Sequence, residues 1–163
     1  MGLSDADQLI RQVSSYARII AHHSDVTWHR VRSSGKKPGL LNKFRGENRS
    51  PLADGVVVQD DYVVLARDVK PENDPSLGLR LAAASAQSGH LISPHTLDRL
   101  ASELPKLSNP WPSDARDSFV SLLGSGKQLI PIWESIDFAG MISSWLPIWD
   151  RVRGCPQSSQ VHS

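Results

Sequence analysis

The stretch Ile130–Gln157, IPIWESIDFAGMISSWLPIWDRVRGCPQ, places Trp133, Trp145 and Trp149 in two short amphipathic turns punctuated by Gly140, Pro147, Gly154 and Pro156. Three indoles this close together need an apolar surface. Each ring gains most by burial and still requires a hydrogen-bond partner for its N–H. The stretch therefore reads as short helices that dock, and not as a catalytic element. Pro131 falls in the first turn of its helix, where a missing N–H is tolerated.

Working back toward the N-terminus, the same helical punctuation recurs. Asp74-Pro75 opens a helix over Leu77 to Ser88, with Gly89 placed to end it. Ser93-Pro94 opens a second carrying Leu97, Leu100, Ala101 and Leu104, which Pro105 stops. Beyond Asn109-Pro110-Trp111-Pro112, Ser113 caps a third with Phe119, Val120, Leu122 and Leu123, ending near Gly124. Further helices are expected near 128–139, around 141–146 and from Pro147 to Arg153. At the other end, Ser4 is a candidate cap. Leu9, Val13, Ala17, Ile20, Ser24, Trp28 and Val31 recur at steps of three and four, predicting a long helix from about 5 to 32.

One segment reads differently. GVVVQDDYVVLA, from Gly55 to Ala66, has two β-branched runs around Asp60-Asp61 and predicts a hairpin. Asp-Asp is an unusual two-residue turn, because the favoured geometry requires positive φ at both central positions. The fold class is thus mainly α: an irregular helical bundle with one long N-terminal helix and a small β-hairpin near 55–66. Between helix and hairpin, Arg30, Arg32, Lys36, Lys37, Lys43, Arg45 and Arg49 face the single acid Glu47, and Gly35, Gly39 and Gly46 break any periodicity. This reads as a flexible basic connector. Phe44 is its lone aromatic, too few for a single-strand nucleic-acid groove.

Composition narrows the function classes. The 163 residues can bury an ordinary core, and 18 Lys+Arg against 17 Asp+Glu give a net charge of +1. A nucleic-acid partner is therefore not expected, and no apolar run approaches the ~20 residues of a membrane span. The single cysteine, Cys155, fits a reducing, cytoplasmic setting.

Motifs that resemble reactive sites have plainer readings. Gly124-Ser125-Gly126-Lys127 lacks the glycine and hydroxyl of a phosphate-binding loop, since Ser121 and Gln128 occupy those positions, and no strand precedes it. It reads as a helix–helix turn. His22, His23 and His29 include no i, i+4 pair, so packed or solvated side chains are favoured over zinc ligands, as for His90 and His95. Asp60 and Asp61 are turn residues, not a metal-binding pair. No catalytic, cofactor-binding or metal-ligating residue is assigned.

The C-terminal pattern of Trp133-Glu134, Asp137-x-Ala139-Gly140, Leu146-Pro147-x-Trp149 and Val152-Arg153-x-x-Pro156-Gln157 resembles the bifunctional PII uridylyltransferase/uridylyl-removing enzymes, particularly their actinobacterial forms. PLADGVV from Pro51, LARD from Leu65, LISPHT from Leu91, PWP from Pro110 and SDAD from Ser4 extend the resemblance over nearly the whole chain. It implies a helical region between a nucleotidyltransferase domain, which uses magnesium and UTP, and a metal-dependent HD domain. ACT domains that sense glutamine close the family's chain. The Gly-Ser and paired-carboxylate signature of the transferase is missing, and so is a His-Asp doublet. His162 precedes the position of the family's first metal histidine and takes no ligand role.

On this resemblance residues 1–32 form a long helix, 33–54 the connector, 55–153 the hairpin and bundle of one domain, and 154–163 the start of a missing HD domain. The chain is expected to be a non-catalytic fragment with no cofactor of its own. Trp133, Trp145 and Trp149 are expected to pack against other domains of the same enzyme. The partners implied are those domains and, through the full enzyme, a PII signal protein in nitrogen regulation. A stand-alone helical interaction module or a non-functional remnant is the alternative.

Overall fold

The computed structural model describes residues 49–153 and, before them, helical residues at 8–10, 12–17, 19–21, 24, 27, 28 and 31. Ser4, the histidines at 22, 23 and 29, the connector through residue 48 and everything from Gly154 onward, including Cys155, lie outside the described residues.

A four-stranded sheet begins the main body, in the order β1 (Ser50–Ala53), β2 (Val56–Gln59), β3 (Tyr62–Leu65), β4 (Leu91–Ile92). The predicted hairpin is β2–β3, antiparallel with Gln59 opposite Tyr62. Its turn residues Asp60 and Asp61 both have positive φ, at 51° and 69°, the geometry a two-residue hairpin demands. Carboxylate side chains tolerate that conformation better than bulkier ones do.

The sheet is larger than the sequence pattern predicted. β1 adds an antiparallel edge within the span read as connector. Pro51 is tolerated because β1 has a neighbour on one side only, and its register shifts between Pro51 and Ala53. β4 pairs in parallel with β3 over just two residues, Tyr62 with Leu91 and Val63 with Ile92. A two-residue strand is too short to show alternation.

Helix α1 (Leu77–Ser88) carries the chain from β3 across to β4, the crossover that parallel strands require. Asp74 Oδ1 accepts from the Ser76 amide at 3.0 Å just before it, and Gly89 ends it with φ 73°, as its position predicts. Of its side chains, Leu77, Leu79, Leu81, Ala82 and Ala86 are at most 2% exposed, so α1 is buried nearly all round. Gly78 shows how tightly. A Cβ there would stand 2.7 Å from Leu104 Cδ1, 2.9 Å from Met141 Cε and 2.9 Å from Trp145 Cζ2.

The core built on α1 is shared by α2 (Pro94–Glu103), α3 (Ser113–Leu123), α4 (Leu129–Phe138) and α5 (Met141–Trp145), while α6 (Trp149–Arg153) packs on α4 and α5. Ser93 caps α2 as predicted, its Oγ accepting from the Thr96 amide at 3.2 Å. The third cap falls one residue earlier than predicted. Pro112 is the N-cap of α3 and makes no side-chain cap, while Ser113 is already helical. Gly124–Lys127 is the expected helix–helix turn, with Gly126 at φ 59°.

Candidate functional site

The tryptophan segment folds onto itself. Trp145 is 7% exposed and lies in the central core against Gly78. Trp133 and Trp149 are half-buried and stand edge to face, ring centres 5.2 Å apart and planes at 77°. Phe119 lies 6.4 Å from Trp133, and Trp111 meets Phe119 edge-on at 5.4 Å. A continuous aromatic row therefore ties the loop before α3 to α3, α4 and α6, at spacings typical of favourable ring pairs.

Asp137 organises the polar side of this row. Its Oδ1 accepts from Trp149 Nε1 at 2.7 Å and from Arg153 Nη1 at 3.0 Å. Arg153 Nη2 donates to Asp150 Oδ1 at 2.7 Å, which also accepts from Ser143 Oγ at 2.7 Å. With its carboxylate side chain only 12% exposed, Asp137 holds both its donors in a partly dry setting, where charge-assisted bonds are strongest. This answers the demand each indole makes for an N–H partner, at least for Trp149. The Asp137, Trp149 and Arg153 positions belong to three separate motifs of the C-terminal pattern. They are separate along the sequence, and the fold joins them in one network.

A cleft of about 260 Å³ opens beside the network. Glu134, Asp137, Phe138 and Arg153 line one wall, and Ser15, Ile19 and Ala21 of the N-terminal helical segment line the other. Leu9, Val13, Ile20, Trp28 and Val31, five positions of the predicted apolar stripe, are each more than half exposed.

Other candidate groups remain apart. His90 Nε2 lies 3.7 Å from Asp61 Oδ1, a partner that no sequence pattern identified, because β4 brings the two together only through its pairing with β3. Among the described residues no group of three His, Cys, Asp or Glu side chains is placed to hold a metal ion. No helix among them is long and apolar enough to cross a membrane.

Comparison with known proteins finds similarity along the whole chain. It is 46% identical to the bifunctional uridylyltransferase/uridylyl-removing enzyme of Streptomyces coelicolor, with 99% of this chain and 21% of that protein covered. The enzyme of the same name from Mycobacterium tuberculosis is 36% identical over 99% of this chain and 20% of its own. That of Corynebacterium glutamicum is 34% identical over 99% and 23%. The chain thus spans about a fifth of the length of the curated relatives it matches. No protein-family model matches it, and no solved structure matches it significantly.

Proposed function

We propose that this chain, homologous from end to end with one stretch of the bifunctional uridylyltransferase/uridylyl-removing enzymes, is a non-catalytic helical region of such an enzyme. The observation that carries the reading is the 46% identity across 99% of the chain against only 21% of the relative. In the whole enzyme the reaction is transfer of UMP from UTP to a PII signal protein, with magnesium, and its hydrolytic removal. The residues for both steps lie in other domains. The helices of this chain pack against those domains and hold them relative to one another, through the exposed edges of Trp133 and Trp149 and the apolar stripe of the N-terminal segment. Trp145 supports this role from inside, by fixing α5 against α1.

The test is incubation of the chain with PII protein, UTP and magnesium, followed by mass spectrometry. Unmodified PII is the expected result, because metal-assisted nucleotidyl transfer needs carboxylate ligands. Uridylylated PII overturns the non-catalytic assignment. One observation favours the second reading, a stand-alone module or remnant: Trp145 is buried in this chain's own core and needs no other domain to cover it.

A further inference from the structure

Glu134, Asp137 and Phe138 stand at i, i+3 and i+4 on α4, so they share one face of that helix. This face forms one wall of the 260 Å³ cleft, and Ile19 and Ala21 border it from the N-terminal segment. Two carboxylates therefore adjoin a phenyl ring and aliphatic side chains. Arg153 is the single cation among the described lining residues, and its charge is divided. Its Nη1 donates to Asp137 Oδ1 at 3.0 Å and its Nη2 to Asp150 Oδ1 at 2.7 Å. Both groups that donate to Asp137, Arg153 Nη1 and Trp149 Nε1, use the same oxygen, so Oδ2 keeps its acceptor capacity. The Glu134 side chain has no hydrogen-bond or ion-pair partner among the described residues.

The described lining thus carries more negative than positive charge, beside apolar walls that reduce screening. The complement is a cation. A primary ammonium places three N–H donors on one compact charge, enough to bridge the Glu134 carboxylate and Asp137 Oδ2 without displacing Arg153. An apolar body carried by that ammonium gains by burial against Ile19 and Phe138. A bare metal ion has no such body to bury, and no group of three metal-ligating side chains occurs among the described residues.

We infer that this cleft is a binding site for a small organic ammonium ion with an apolar body, independent of the uridylyltransferase reading. The test is NMR titration of the intact chain at low ionic strength with phenethylammonium. Phenethyl alcohol keeps the ring without the charge, and ethylammonium keeps the charge without the ring. Phenethylammonium is expected to shift the backbone amides of residues 134 to 138 and the Trp149 indole N–H saturably, with binding weakened by added salt. Each of the other two compounds binds about tenfold or more weakly, having lost either the charge-assisted bonds or the buried body. Glu134 is exposed, so Glu134→Gln leaves the fold intact, as an unchanged melting curve will verify, and lowers the affinity about tenfold or more. Glu72→Gln, on the turn before α1, leaves it unchanged. Absence of saturable shifts at these positions overturns the site, as does phenethyl alcohol binding as tightly as phenethylammonium. Equal affinity in Glu134→Gln and the original chain overturns it too. The comparison of the three compounds uses the original chain alone, so it decides the case whatever the variant's stability.

Discussion

Two helical regions of this molecule carry comparable numbers of apolar side chains and meet opposite fates. In α1, Leu77, Leu79, Leu81, Ala82 and Ala86 are almost wholly buried, with the sheet on one side and the other helices around the rest. In the N-terminal segment, Leu9, Val13, Ile20, Trp28 and Val31 remain 56–66% exposed. The difference lies in what surrounds them. Small residues at Gly78 and Ala82–Ala84 let neighbours close on α1 from every side, whereas the N-terminal stripe of large side chains has no such cover among the described residues. Contiguous exposed apolar surface is one mark of an interaction site. The same chain thus contains a region that completes its own core and one whose large apolar side chains stay exposed among the described residues, which is why the proposed seam runs through it.

The largest effect belongs to the buried side of this contrast. Trp145→Ala opens a cavity against Gly78 and Met141 and should destabilise the chain by about 3–5 kcal/mol, measured by urea denaturation followed by circular dichroism. A loss under about 1 kcal/mol would mean the indole is not part of the core, in conflict with the burial that distinguishes α1 and its neighbours.

Gly78→Ala comes next. Overpacking against Leu104, Met141 and Trp145 should cost about 1–3 kcal/mol, set against the ~1 kcal/mol that alanine gains over glycine in a helix. Net destabilisation is expected. A more stable variant would show that α1 is held less closely than its surroundings indicate.

Asp137→Ala probes the part of the bundle that faces the N-terminal segment, since this carboxylate also borders the cleft lined by Ser15 and Ile19. Loss of its bonds to Trp149 and Arg153 should cost about 1–3 kcal/mol. The loss should appear locally, as faster amide exchange in α6 with little change in α1. Uniform acceleration throughout the bundle would contradict a local clasp.

Smallest of all, Leu9→Ser/Trp28→Ser should change the stability of the isolated chain by no more than about 0.5 kcal/mol, as for other exposed positions. A strongly destabilised double variant would show that the stripe is already covered.

Much of the fold was legible because its signals are local. Gly89 and the Ser93-Pro94 pair marked helix ends through backbone geometry that few other residues satisfy. The β-branched runs at 56–58 and 63–64 marked a hairpin. What escaped notice depends on pairing at a distance. β1 contains a proline that only an edge strand accepts, and β4 is two residues long, so neither carries a period. The same holds for the polar network. Asp137, Trp149 and Arg153 were each visible within a motif, yet their convergence follows from the turns at Gly140 and Pro147, which no spacing rule supplies. Trp133, Trp145 and Trp149 read alike in sequence, whereas the fold separates a core residue from two half-buried partners.

The most direct measurement is calorimetric titration of this chain with the separately produced transferase domain of the Streptomyces coelicolor relative. Saturable binding that Leu9→Ser/Trp28→Ser weakens about tenfold or more, without loss of the chain's own stability, is the predicted result. A chain that melts cooperatively and shows no binding to that domain would contradict the assignment of the N-terminal stripe to an interdomain seam.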